Sequence, residues 1–352
     1  MKPRLLHFAS SYFPRIGGLP VMIRDIAHHT SDVFEHHLVT RDLWRAGISW
    51  ERAPAGTDES DPCLTVHRFR SDGEYLTAEM AEFLQAFGYD VLVIHSTHPS
   101  LLEATEYTKA KVLFMPQTKT QMPLKKYLDR IDQAIVLLGS DRWHFVEHGL
   151  DRSRIAVLPR LVDTEIFRPV ERPQSENRHH LLYVGRIAPG KCVWMLPMVL
   201  RKLRDQDVRY TLDIVGDYDH PERDKPPLMQ ALVANRVRGS VHFGVEWTVK
   251  EMAEAYRAAD ILVSASVSET FGQTFVEALA CGLPVVTTAG GGCREWAEGY
   301  VQFVDSAEDM AQAIVDASYP LADFEAVARF HSEYSWQARK AEFVEIVEEM
   351  MR

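Results

Sequence analysis

Three consecutive stretches decide the fold: Asp260-Ile-Leu-Val-Ser-Ala265, Glu269-Thr-Phe-Gly-Gln-Thr-Phe-Val-Glu277, and Ala278-Leu-Ala-Cys-Gly-Leu-Pro-Val-Val286. The first is a short apolar run, the kind that suits a parallel strand covered on both faces. Gly272 permits a tight strand-to-helix turn, and Gly282 with Pro284 ends the helix and opens the next strand. Glu269 therefore falls in the loop at a strand's carboxyl end, and Glu277 near the first turn of the following helix. In open parallel sheets that is where ligands bind. The helix start, from Gly272 through Gln273 to Thr274, aims N–H groups into the same crevice and makes an anion site. A carboxylate beside it can accept hydrogen bonds from a vicinal diol such as a ribose. Two carboxylates and a helix N-terminus together make a cradle for sugar, diphosphate and ribose. The plainer alternative is that Glu277 caps its helix dipole and Glu269 is solvated.

Outward from this stretch, apolar strands alternate with amphipathic helices. Toward the N-terminus the expected strands are Arg4–Ala9, His37–Thr40, Val91–His95, Lys111–Met115, Gln133–Leu138 and Ile155–Leu158. Helices are expected at Gly18–His29, Thr77–Gly88, Ser100–Thr108 and Asp141–His148. The polar stretch from Phe167 to His180 reads as a linker, after which the alternation restarts at His180–Val184. The fold class is α/β, with two doubly wound halves. Leu43 to Asp72, rich in Gly, Pro, Asp and Trp, reads as a long loop. It is either a surface insertion or an acceptor-binding loop that uses Trp44 and Trp50 as platforms.

Bulk properties limit the function. A length of 352 residues suits two domains, and 46% hydrophobic with 25% charged residues is ordinary for a globular chain. The net charge of −11 disfavours nucleic-acid or anionic-lipid partners, and the densest basic stretch, Lys119 to Arg130, is diluted by Asp129. No apolar run approaches the roughly 20 residues needed to span a bilayer, and the start reads as a core strand rather than a signal peptide. Cys63, Cys192, Cys281 and Cys293 lack metal-ligand spacing in the sequence, which points to a reducing cytoplasm.

Two further clusters carry chemistry. In Leu181-Leu-Tyr-Val-Gly185-Arg-Ile-Ala-Pro-Gly-Lys191 a strand runs into a glycine, and Arg186 and Lys191 flank the turn before a helix. Two cations there suit a departing diphosphate, although isolated cations are more often solvated surface. In Tyr12-Phe-Pro-Arg-Ile-Gly17-Gly18 a glycine pair follows the first strand and lets backbone approach a ligand. It is not a dinucleotide fingerprint.

Taken together, the clusters resemble the family-4 type of retaining glycosyltransferases with the glycosyltransferase-B fold. The resemblance extends to Ile214-Val-Gly-Asp217, Val241-His-Phe-Gly244, Gly291-Gly-Cys-Arg-Glu295 and the junction segment Arg154 to Pro169. It implies two Rossmann-like domains facing a cleft: 1–166 on the acceptor side, 167–334 holding the donor, and a helix over 335–352 returning to the first domain. The implied reaction moves a sugar from a nucleotide diphosphate sugar, most commonly a UDP-sugar, to a hydroxyl with retention and without a metal or other cofactor. Arg186 and Lys191 would stabilise the leaving diphosphate, Glu269 would bind sugar hydroxyls, and Glu277 the ribose. Gly17, Gly18, Gly185, Phe271, Gly272, Gln273 and Thr274 would complete the donor site.

Relatives commonly read Asn-Gly-Val-Asp at the junction where this chain has Arg160-Leu-Val-Asp163. Many carry a histidine where this chain reads Met115-Pro-Gln-Thr118. His95, in Asp90-Val-Leu-Val-Ile-His95, matches another histidine-bearing segment; it either lines the cleft as a catalytic residue or is a packed histidine at a strand end. The acceptor is left open among a glycan, a secondary metabolite and a lipid-linked sugar, with at most peripheral membrane contact. The alternatives are a sugar-nucleotide epimerase or a phosphorylase of the same fold, and a catalytically degenerate paralogue that binds nucleotide sugar.

Overall fold

The computed structural model describes residues 1–13, 17–46, 49–117, 124–170, 179–244, 248–316 and 324–352. The chain forms two compact units: Met1–Arg160 with Arg339–Arg352, and Leu161–Ala338. The C-terminal helix Trp336–Met351 thus runs for most of its length with the first unit.

The first unit holds β1 (Arg4–Phe8), β2 (Glu35–Arg41), β3 (Leu43–Ala46), β4 (Ser49–Arg52), β5 (Gly56–Asp61), β6 (Leu64–Phe69), β7 (Val91–Ile94), β8 (Lys111–Phe114), β9 (Gln133–Val136) and β10 (Ile155–Val157). Eight of these make one sheet in the order β10-β9-β8-β7-β1-β2-β6-β5. All its pairings are parallel except that of β5 with β6. The central strands are apolar because both faces are covered: Val91, Leu92, Val93 and Ile94 have no exposure. Strand order reverses direction between β1 and β7, which makes a switch point at the carboxyl ends of these two strands.

The expectation of a long loop over Leu43 to Asp72 is corrected here. The segment folds as the antiparallel pair β3–β4, followed by β5 and β6. Its strand signal is weak because β5 reads Gly-Thr-Asp-Glu-Ser-Asp, an edge strand with polar residues toward water and no apolar alternation. Trp44 and Trp50 lie on β3 and β4, and the side chains of 43–51 are outside the described set. Residues 171–178 of the linker, the part of the basic stretch Lys119 to Arg130 up to position 123, and residues 245–247 also fall outside the described residues.

The second unit holds β11 (His179–Val184), β12 (Tyr210–Val215), β13 (Val241–Gly244), β14 (Ile261–Ser264), β15 (Val285–Thr287) and β16 (Gln302–Phe303). They form a wholly parallel sheet in the order β13-β12-β11-β14-β15-β16. Counted from its first strand the order is 3-2-1-4-5-6, the doubly wound arrangement of dinucleotide-binding domains. Its switch point lies between β11 and β14. Helices over Leu196–Asp205 and Ala307–Val315 pack one buried cluster with Leu181, Tyr183, Leu212 and Ile214. The helix Phe324–Tyr334 was not anticipated from the sequence. Among the described residues, no helix is long and apolar enough to cross a membrane.

Candidate functional site

The second unit gathers its charged residues at the switch point. β11 ends at Val184 and β14 at Ser264, and the loops that leave them are tied together by backbone. Val267 N–H donates to Gly190 O at 2.9 Å, and Gly290 N–H donates to Val267 O at 3.0 Å. Glu269 N–H donates to Gly290 O at 3.0 Å, and Cys293 N–H to Glu269 O at 3.2 Å. Three loops are thereby zipped side by side, which fixes Lys191 and Glu269 through main chain rather than through their own flexible side chains.

Lys191 Nζ donates to Glu269 Oε1 at 2.5 Å, and Ser266 Oγ–H donates to the same oxygen at 2.7 Å. The pair is largely shielded, with side-chain exposures of 24% and 16%, so water screens it less than a surface ion pair. Its electrostatic reach is visible nearby. Burial first, then the Glu269 carboxylate, pushes the Cys293 thiol up to about 11. The same two causes hold the Tyr183 hydroxyl well above its ordinary range, and that hydroxyl donates to Arg186 O at 2.8 Å. Arg186 itself pairs with Asp219 at 2.8 Å and is half-exposed.

Two glycines let the loops approach so closely. Gly216 has φ 144°, and a Cβ there would sit 2.0 Å from Gly185 O. Gly291 has φ 85°, and a Cβ would meet Ser268 Oγ at 2.4 Å and Glu269 O at 2.7 Å. Gly185 directly follows β11, with its N–H on Val215 O at 2.9 Å.

The helix Gln273–Ala280 starts from Gly272 in the left-handed region, φ 84°. Gln273 and Thr274 form its first turn, half-buried. Phe271 is buried and stacks on Trp296, with centroids 5.1 Å apart and planes at 16°; Trp296 Nε1–H also donates to Phe271 O at 2.8 Å. Glu277 lies one turn into the helix and is only 9% exposed. Its Oε2 accepts from Tyr256 Oη at 2.9 Å and its Oε1 from Gln273 Nε2 at 3.2 Å. Burial and this carboxylate raise Tyr256 well above its usual range, so the phenol stays a donor.

In the first unit, Gly17 precedes the helix Gly18–Thr30 as its N-terminal cap residue. Arg160, which stands at the altered junction position, donates to Gly18 O at 2.7 Å and to Gln117 Oε1 at 2.5 Å. His95 is 1% exposed and is bonded to His7, so its side chain is packed rather than open to solvent.

The structure thus brings Gly185, Lys191, Glu269 and Gly272 to the ends of neighbouring strands, with Arg186 and Glu277 each paired to a further side chain. Sequence reading passed over Ser266, Tyr256 and Trp296 as site residues. Ser266 was recoverable as the residue three before Glu269, whereas Tyr256, on the helix Val249–Ala258, had no local signal. Among the described residues, His28, Asp61 and Cys63 bring an imidazole, a carboxylate and a thiol within 4.8 Å of one another, a grouping able to hold a metal ion. It belongs to the first unit, and Asp61 is already paired with His28 at 2.9 Å.

The fold is the one shared by solved proteins of the glycosyltransferase-B type. Sucrose-phosphate synthase of Thermosynechococcus elongatus superimposes with a TM-score of 0.76 at 17% identity, over 99% of each chain. HepE of Anabaena, solved in complex with UDP and glucose, gives 0.75 at 16% identity, over 99% of this chain and 100% of that one. Residues 178–318 match the family of group 1 glycosyl transferases. The D-inositol 3-phosphate glycosyltransferase of Frankia alni is 34% identical over 175 residues, 46% of this chain and 43% of that protein. That of Stackebrandtia nassauensis is 28% identical over 237 residues, 62% of this chain and 52% of that one. The matches therefore span about half the length of these relatives.

Proposed function

We propose that the protein is a retaining glycosyltransferase that moves a sugar from a nucleotide diphosphate sugar, a UDP-sugar first, to a hydroxyl acceptor. The observation that carries this reading is the Lys191–Glu269 pair beside a helix start at the switch point of a 3-2-1-4-5-6 sheet. When donor binds, its diphosphate takes over the Lys191 ammonium. Negative charge grows on the leaving oxygens as the glycosidic bond breaks, and a fixed cation there stabilises the transition state more than the ground state. Arg186, half-exposed and released from Asp219, adds a second cation. Glu269, freed on one side, accepts from hydroxyls of the transferred sugar, and Glu277 accepts from the ribose. The two cations do the neutralising work of a metal ion, so the reaction runs without one. The family match over 178–318 and the UDP-bound neighbour support this reading.

A thermal-shift panel of UDP, GDP, ADP and TDP, with and without EDTA, tests it. A ligand that binds only the folded protein raises stability with the logarithm of its concentration over Kd. We expect a shift with UDP that EDTA leaves unchanged, followed by transfer from UDP-glucose. D-inositol 3-phosphate, from the relatives' name, is the first acceptor to assay. The absence of a shift with all four nucleotides would favour a degenerate paralogue.

A further inference from the structure

Three histidines of the first unit form a buried chain outside the donor site. His95 Nε2 lies 2.8 Å from His7 Nδ1, and His7 Nε2 lies 3.0 Å from His36 Nδ1. His36 Nε2 lies 2.9 Å from Thr30 Oγ1, and Thr30 Oγ1–H donates to Ile26 O at 2.6 Å. The rings are stacked, with centroids 5.1 Å apart for His7–His95 and 5.3 Å for His7–His36. All three are nearly or fully buried.

The direction of this chain follows from counting protons. Thr30 has one hydroxyl hydrogen, and the Ile26 carbonyl, which can only accept, takes it. Thr30 Oγ1 therefore accepts from His36 Nε2–H. A neutral imidazole carries one N–H, so His36 Nδ1 is a lone pair and accepts from His7 Nε2–H. His7 Nδ1 is in turn a lone pair and accepts from His95 Nε2–H. What remains at the end is His95 Nδ1, a buried atom with no hydrogen-bond partner among the described residues. Neutrality of the chain is consistent with burial, which holds His36 down to about 4, His95 to about 3 and His7 well below its ordinary value.

We infer that Thr30, His36 and His7 are positioning residues that lock His95 as its Nε2–H tautomer, so that Nδ1 presents a lone pair able to accept a hydrogen bond but not to give one. His95 follows β7, beside β1, at the switch point of the first unit's sheet. On the glycosyl-transfer reading above, an acceptor hydroxyl that reaches this lone pair, which is closed to solvent in the structure without substrate, donates to it. His95 then orients that hydroxyl and does not donate to the sugar or the diphosphate.

Nitrogen-15 spectra of protein labelled at histidine, with His95 assigned by loss of its signals in His95→Gln, test the inference. We expect a protonated Nε2 and an unprotonated Nδ1 at neutral pH. A protonated Nδ1 on His95 overturns the direction of the chain. Thr30→Val keeps the shape but removes the anchor, and should give His95 a mixed or reversed tautomer; Thr30→Ser, which keeps the hydroxyl, should restore the wild-type pattern. An unchanged pattern in Thr30→Val overturns the positioning role. In transfer assays Thr30→Val should lose at least about tenfold in turnover with UDP affinity unchanged, the effect expected of a misplaced catalytic group. The spectra decide the tautomer even if the wild-type protein transfers no sugar, which is the separate test of the glycosyl-transfer reading.

Discussion

Lys191 and Glu269, 78 residues apart in sequence, meet with Nζ and Oε1 2.5 Å apart where the second sheet reverses its strand order. Their loops are joined by the Val267 N–H to Gly190 O bond, so the pair is set by backbone before any ligand arrives. A cation prepared in this way costs little reorganisation when charge develops beside it.

Replacing the cation should therefore hurt turnover more than binding. Lys191→Ala is expected to lower kcat by about 10²–10³-fold, the usual cost of losing one preorganised charge-stabilising donor. Steady-state kinetics with UDP-glucose would show it. Wild-type turnover in this variant would remove Lys191 from the mechanism.

Glu277→Ala should do two things at once. Nucleotide affinity should fall at least about tenfold, or about 1.4 kcal/mol, through loss of the ribose acceptor. Urea denaturation should show a loss of about 1–3 kcal/mol, because the fully buried Tyr256 hydroxyl loses its acceptor. Calorimetric titration with UDP separates the effects: unchanged affinity with reduced stability would leave Glu277 a packing residue only.

Gly216→Ala should be among the most damaging single-methyl changes in the second unit. The added Cβ would fall 2.0 Å from Gly185 O at a φ of 144°. The ends of β11 and β12 must then part, at a cost of at least about 1–3 kcal/mol of backbone strain. A melting temperature and a UDP affinity both equal to wild type would contradict the close approach described for these strands.

The buried histidines give the first unit an acid sensitivity with a defined window. Unfolded, each titrates near 6.5. Folded, His36 is held down to about 4 and His95 to about 3, chiefly by burial. Between these values the unfolded chain binds more protons than the folded one, so stability falls as pH drops from about 6.5 toward 4. Each histidine contributes up to about 1.4 kcal/mol per pH unit within that window. Chemical denaturation at a series of pH values between 7.5 and 4.5 should show the slope. A flat profile would mean that the imidazoles are not neutral and buried as a set.

Much of the site was legible because its parts are local. Glu269, Gly272 and Glu277 sit on one strand–turn–helix unit, and Arg186 and Lys191 on another, so spacing alone placed them at strand ends. Tyr256 is paired with Glu277 from a helix 21 residues away, and Arg160 with Gly18 over 142 residues, and no local pattern announces such pairs. The strands of 43–69 were missed for a different reason. A polar edge strand has no buried face to impose alternation, and what makes Gly56–Asp61 a strand is its partner β6.

The sequence by itself determined two α/β halves and a cradle of carboxylates, cations and a helix start, because hydrophobic period and glycine punctuation act over a few residues. Tertiary structure alone decided which charges pair, how Gly185 and Gly216 touch, and that His95 ends a one-way chain anchored at Ile26. Those outcomes depend on strand order and register, and parallel strands are brought side by side by long crossovers whose geometry no short stretch of sequence contains.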